Sequence, residues 1–344
     1  MRCIRTLSAP GHKSEGESHV KPLIRFSIAQ EYLPMRIDIA AQTDIGRRKK
    51  KNEDFYGVFR EGTPDLKLFK SGALLCVADG LGGHTGGEIA SKLAVSNVKD
   101  VLKEPAPATN ASTAEAEEGP IPLMRKFILS ANETIYKTNQ DIIKSSRPMG
   151  TTLLTAIVSP RKVYIANVGD SRAYHLRDGE IVSRTEDHSW VDEQVKLGLM
   201  SRAEAEVDDR RHMVTRSIGT HPEVEVDSYV WHVVPGDMLL LCTDGLINMV
   251  KDQEIREVFT TLPGPAEITK RLVDMANDNG GRDNITVVVA DIMPSVGTLL
   301  RRRIVSFSKR RGAGIVYLTT MLAFGALCFV LGHFFGGIIF GIFQ

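Results

Sequence analysis

Three apolar runs in this chain break at an aspartate beside a glycine. They read LLCVADG, ending at Asp79-Gly80; YIANVGD, ending at Gly169-Asp170; and LLLCTDG, ending at Asp244-Gly245. In a fourth segment, GGRDNITVVVAD, Asp283 stands just ahead of an apolar run. Such runs predict strands, and the adjoining glycine lets the backbone turn sharply where each strand stops. A carboxylate on a rigid strand end points outward from a fixed position, as a ligand must. One such Asp is ordinarily a turn residue; four in one chain are harder to assign to turns alone. Clustered carboxylates raise one another's pKa unless cations sit among them. With no neighbouring His/Cys set, hard oxygen donors suit Mg²⁺ or Mn²⁺ rather than Zn²⁺. Spacing alone does not bring the four together.

A second stretch carries charge of both signs. TDIGRRKKKNED (43–54) places five cations, Arg47 to Lys51, directly before Glu53 and Asp54. It reads as a nucleic-acid or import tag, as a solvated loop, or as one wall of a phosphate site. Over the whole chain 43 Lys and Arg nearly cancel 42 Asp and Glu. Nucleic-acid affinity comes mainly from phosphate neutralisation, so a nucleic-acid partner is not expected. The cysteines, Cys3, Cys76, Cys242 and Cys328, form no CxxC pair, which leaves out a zinc knuckle or a thioredoxin-like motif. Cys76 and Cys242 lie in apolar runs and read as small buried hydrophobes, a usage that suits a reducing compartment.

The elements that must position these residues are strands in runs, joined by short turns such as SPRK and RDGE. Periodicity predicts strands over 36–43, 54–59, 72–78, 151–158, 162–168, 172–176, 225–233, 237–242 and 284–292. It predicts helices over 86–102, 121–145, 189–198, 252–260 and 265–278. Without strict βαβ alternation, this order implies antiparallel sheets covered by helices, an α+β class. The Pro/Ala/Glu-rich segment 104–120 reads as a loop between two helices.

The 344 residues set a prior of about two domains. Residues 1–35 read as a flexible N-terminal extension without a secretory h-region, with Met35 as an alternative start. The main domain runs over 36–293, followed by a basic linker, 294–312, and a last segment, 313–344. RRRIVSFSKRR (301–311) holds six cations, and no Asp, Glu, Lys or Arg occurs from Gly312 to Gln344. About 20 apolar residues cross a bilayer, and flanking cations predict that their side faces the cytoplasm. The segment is read as a single transmembrane helix that anchors the domain to the cytoplasmic face of the cell membrane. A buried core helix and a short re-entrant tail are the alternatives.

Eight motifs together resemble the metal-dependent protein phosphatases of the 2C (PPM) family, in their compact bacterial form. They are TDIG…NEDFYG (43–57), VADGLGGHTGGEIAS (77–91), MGTTLLTAIV (149–158), NVGDSRAY (167–174), TEDHSWVDEQVKLG (185–198), MVTRSIGTHPEVEVD (213–227), LLLCTDGLIN (239–248) and GGRDNITVVV (280–289). The resemblance implies a four-layer α-β-β-α sandwich of two antiparallel sheets. It implies hydrolysis of phosphoserine and phosphothreonine in proteins at a dinuclear Mn²⁺ or Mg²⁺ centre. Two metals about 3.5–4 Å apart bring a bridging water to near-neutral pKa, and the hydroxide attacks phosphorus in line. By carry-over Asp79 bridges both metals, the Gly80 carbonyl binds one, and Asp244 and Asp283 bind the other. Glu53 and Asp54 reach the metals through water, and Asp170 corresponds to a ligand of a weaker third ion. Phosphorylated proteins are the implied substrates, a membrane-bound Ser/Thr kinase an implied partner, and the catalytic domain is expected to be monomeric.

Two positions depart from the family pattern. Where the family has an Arg that holds the substrate phosphate, this chain has Lys49, with Arg48 and Arg47 just before it. Lys offers a compact charge in place of a planar two-point fork. Lys49 is expected to serve more weakly, or Arg48 to reach in through a shift of the loop. Where the family usually has an Asp, this chain has Asn248, which removes a charge from the third-metal site. His84, in GGHTGG, is read either as the acid for the leaving alcohol or as a loop-packing residue. His188 reads as structural, and 189–222, with Trp190 and Met200, as a segment that closes beside the cleft. The two departures keep a second reading open, a degenerate module that binds phosphoproteins without hydrolysing them.

Overall fold

The computed structural model describes residues 36–60, 72–82, 86–103, 119–142, 148–159 and 161–293. The N-terminal extension, His84, the basic linker and the proposed membrane segment lie outside the described residues. Among the described residues no helix is long and apolar enough to cross a membrane.

Two five-stranded antiparallel sheets carry the domain. One runs β1 (Arg36–Asp44), β12 (Ile285–Met293), β11 (Met238–Cys242), β8 (Arg172–Arg177) and β9 (Glu180–Arg184). The other runs β10 (Asp227–His232), β7 (Lys162–Val168), β6 (Leu153–Val158), β3 (Ala73–Ala78) and β2 (Phe55–Arg60). Successive side chains point to opposite faces of a strand, and that sorts the apolar runs into three layers. Leu75 and Val77 meet Leu239, Leu241, Val288 and Ala290 between the sheets. Leu74 and Cys76 face the other way, onto α1 (Gly86–Lys103) and α2 (Ile121–Ile142). Leu240, Cys242, Val287 and Val289 pack under α6 (Asp252–Thr261) and α7 (Pro265–Asp278). Because central strands are covered on both faces, their sequences are continuous apolar runs rather than alternating ones. The expected α-β-β-α layering follows from these three clusters.

Three departures from the expected elements have local causes. The strand expected over 151–158 is broken at Thr152, between β5 (Gly150–Thr151) and β6. Thr152 leaves the ladder to hold Asp79: its N–H donates to the Asp79 carbonyl at 2.8 Å, and its Oγ1 accepts from the Asp79 N–H at 2.8 Å. β5 pairs instead with β4 (Gly80–Leu81). Strand β9 was not expected, although Asp178 (φ 53°) and Gly179 (φ 81°) form a tight positive-φ turn before it, as hairpins prefer. The segment 189–222 holds α3 (Trp190–Lys196), α4 (Arg202–Val207) and a 3₁₀ turn, Asp209–His212. Helix α4 is announced by a Ser201/Glu204 capping box. The helix expected over 121–145 is seen over Ile121–Ile142, and its last three residues lie outside the described residues.

Candidate metal centre

One end of the sandwich collects the strand ends that carry aspartates. The basic loop is fixed there by its backbone. The N–H groups of Arg47 and Arg48 both donate to the Gly281 carbonyl, at 2.7 and 3.1 Å. Asn284 then joins this loop to NED: its Oδ1 accepts from Glu53 N–H at 2.8 Å, and its Nδ2 donates to the carbonyls of Ile45 and Lys51 at 2.9 Å. Two glycines make the approach feasible. A Cβ on Gly46 (φ 79°) would lie 2.2 Å from the Asp283 carbonyl oxygen, and one on Gly245 would lie 1.9 Å from that of Asn284.

Asp54 is buried, and its Oδ2 accepts from Thr243 Oγ1 at 2.8 Å and Thr286 Oγ1 at 2.7 Å. Its Oδ1 is shut off from solvent without a donor, as is Oδ1 of Asp244. Burial pushes Asp54 up to about 7; the two threonines oppose this, and Asp244 and Asp283 add to it. Asp79 ends β3, clasped through its backbone by Thr152 and by Thr151 Oγ1 at 2.7 Å. Burial, then Asp54, Asp244, Asp170 and Asp283, hold it well above the usual carboxylate range. Asp244 follows β11 at the start of α5 (Asp244–Ile247), and Asn248 Nδ2 donates to its Oδ2 at 3.0 Å. Burial and then Asp283 push Asp244 up to about 6, while a hydrogen bond with Asp79 and the charge of Lys49 pull it down. Asp170 is raised as well, by burial, Asp244 and Asp187, with Arg172 opposing.

Asp54, Asp79, Asp170, Asp244 and Asp283 lie near enough to act on one another's charge. Among the described residues, however, no group of three or more His, Cys, Asp or Glu side chains is placed to hold a metal ion. The ammonium of Lys49 stands against Asp283 instead, 2.5 Å from Oδ1. Gly80 is closely packed: a Cβ there would meet the Gly87 carbonyl at 2.2 Å and that of Glu53 at 2.6 Å. Glu53 is close by, since a Cβ on Gly87 would be 3.2 Å from its carboxyl carbon. Arg48 and Lys49 are both exposed, but it is the Lys49 ammonium that pairs with Asp283, while Arg48 bonds to Gly281 through its backbone. Shielded carboxylate oxygens without donors, pKa values raised by burial and then by like charge, and no imidazole or thiolate among these groups fit hard divalent cations such as Mg²⁺ or Mn²⁺.

His188 is structural, as expected. It is buried, its Nδ1 accepts from Gly169 N–H at 3.0 Å, and its Nε2 faces Arg216 and Asp227. It thereby holds the turn that presents Asp170. Four supports went unread in the sequence: Thr152, Thr243, Thr286 and Asn284. Each sits within one to three residues of an aspartate or a glycine turn, the signal that could have marked it. His212 also went unread. It senses Asp283 across from the 3₁₀ turn, though burial and then Arg211 lower its pKa overall.

The protein phosphatase 2C family model matches residues 49–286. A serine/threonine phosphatase, stp, of Listeria monocytogenes is 38% identical over 255 residues, covering 73% of this chain and 94% of its own. The crystal structure of the serine/threonine phosphatase Stp1 from Staphylococcus aureus superposes with a TM-score of 0.65 at 31% identity, over 76% of this chain and 97% of that one. A PstP catalytic domain solved in complex with two manganese ions gives 0.60 at 30% identity, over 76% of this chain and all of that one. Sequence, layering and the carboxylate end of the sandwich agree, and the chain belongs to the protein phosphatase 2C family of serine/threonine phosphatases.

Proposed function

We propose that this phosphatase is metal-dependent, that two Mn²⁺ or Mg²⁺ ions bind at Asp79, the Gly80 carbonyl, Asp244 and Asp283, and that Lys49 receives the substrate phosphoryl group. The observation that carries this reading is the pair of shielded, donor-free Oδ1 atoms on Asp54 and Asp244 within a cluster of like charge. Bound divalent ions supply a water acidified to near neutrality and positive charge for the phosphoryl oxygens. The chain's own residues do the rest. Asp54 and Glu53 orient water around the site, with Asp54 fixed by two threonine hydroxyls. The Lys49 ammonium meets the phosphate dianion as a point charge. His84 protonates the departing seryl or threonyl oxygen. Asp170 holds a weaker third ion, whose site lacks a charge at Asn248. The substrate class is phosphorylated protein, a Ser/Thr kinase among the candidates.

The full chain, assayed on a phosphothreonine peptide, is expected to need Mn²⁺ or Mg²⁺ and to lose turnover with EDTA. Turnover that persists in EDTA, or in Asp79→Asn, would refute the metal reading. We also propose that residues 313–344 anchor the domain to a membrane. Their uncharged composition and the cations before them support this. The full chain is expected in the membrane fraction and a chain ending at 312 in the soluble one; equal partitioning would remove the anchor.

A further inference from the structure

We propose that Lys49 is a built-in counter-cation of the carboxylate cluster, and that a divalent ion takes Oδ1 of Asp283 only by displacing it. The inference rests on the reading of Asp283 as a metal ligand. Lys49 Nζ lies 2.5 Å from Asp283 Oδ1, an oxygen that also accepts the Asn284 N–H at 2.8 Å. That oxygen has little capacity left. A hard cation would bind it at about 2.0–2.6 Å, which sets two positive centres side by side. The ammonium must leave for the ion to enter.

The surrounding backbone keeps the lysine in place. Arg47 and Arg48, just before it, are hydrogen-bonded to Gly281, and Lys51, just after it, to Asn284. Gly281 and Asn284 bracket Asp283 itself. Lysine and aspartate are therefore mounted on two loops stitched together on both sides, and only the lysine stem is free to move. The ammonium does more than pair with one carboxylate. Besides Asp283, it lies close enough to Asp79, Glu53 and Asp244 for its charge to act on them. A flexible four-carbon stem suits this double duty better than a planar guanidinium would. The residue holds the cluster together without an ion and is released toward the cleft as the ion arrives, where phosphate meets it. Metal binding and phosphate grip would then share one side chain.

Calorimetric titration of the full chain in detergent with MnCl₂ tests this, alongside thermal unfolding with and without Mn²⁺. Lys49→Met is expected to bind Mn²⁺ about tenfold more tightly than the wild type, while its Tm without metal falls. Lys49→Arg, which keeps the charge, is expected to bind within about threefold of the wild type. Asp283→Asn is expected to weaken binding by more than about tenfold. If Lys49→Met binds Mn²⁺ like the wild type while Asp283→Asn binds weakly, the displacement is wrong and the ligand assignment stands. If Asp283→Asn binds like the wild type, the ligand assignment itself fails and the displacement with it.

Discussion

Strand β11 has an aspartate at each end, and the two live in opposite surroundings. Asp237 precedes it and is 1% exposed. Arg177 donates to its Oδ1 and Oδ2 at 2.8 Å, His175 Nε2 lies 2.8 Å from Oδ2, and the Val234 N–H donates to Oδ2 at 2.9 Å. Burial would raise its pKa, but Arg177, Val234 and His175 outweigh burial and lower it. Asp244 follows the same strand and faces Asp79 and Asp283, with one oxygen donor-free; it is pushed up to about 6. Burial does not tell a functional carboxylate from a structural one. The sign of the neighbouring charge does, because a carboxylate among its own kind gains most from a cation supplied from outside.

Substitutions at the two ends should separate cleanly. Asp244→Asn is expected to cut kcat by about a thousandfold or more, while unfolding without metal stays as stable as wild type or gains, since like-charge repulsion is removed. Asp237→Ala is expected to keep kcat within about threefold but lose about 2 kcal/mol by denaturant titration, as the Val234 N–H and the buried His175 ring lose their shared acceptor. If both variants lost activity and stability alike, the contrast would be false.

The acid limb of stability sharpens it further. The folded pKa of Asp237 lies below its unfolded value, so its contribution is full above about pH 4 and is lost as pH falls through the folded value. The stability gap between wild type and Asp237→Asn should therefore close on acidification below about pH 4. A gap that widened instead would mean that Arg177 and His175 do not set this pKa.

Smaller effects follow at the metal end. Gly245→Ala forces a Cβ to within 1.9 Å of the Asn284 carbonyl, and about 1–3 kcal/mol of stability should go with it. The clash strikes the joint between Asp244 and Asp283, so Mn²⁺ affinity should fall together with Tm. Asn248→Asp replaces the amide that donates to Asp244 with a further carboxylate beside those of Asp79 and Asp283. It is expected to tighten metal binding only a few-fold and to lower Tm without metal by a few degrees, roughly 1 kcal/mol. A calorimetric titration that found weaker binding would show that the hydrogen bond at 3.0 Å matters more than the missing charge.

The layering was legible because the apolar runs sort by alternation: Leu74 and Cys76 one way, Leu75 and Val77 the other. Asp79, Asp170 and Asp244 were legible because each ends such a run beside a glycine, and Asp283 because it stands just ahead of one. Strand β9 was not, since as an edge strand it exposes alternate residues and holds only two clear apolar side chains, Ile181 and Val182. Helix α4 was not, since at six residues its only strong signal is the cap. Thr152 was hidden inside what read as an unbroken strand, and only the Asp79 backbone explains why the ladder stops there.

Residue type and order alone determined the class of fold, the set of carboxylates and the family to which the chain belongs, because periodicity and turn chemistry are local properties. Whether Lys49 or Arg48 enters the cluster was decided by tertiary structure. Neighbours in the chain carry the same charge and are both exposed, and only the way Gly281 and Asn284 hold the loop brings the Lys49 ammonium onto Asp283. The opposite fates of Asp237 and Asp244 were decided in the same manner, since the charges around a buried group come from strands and loops far away in sequence.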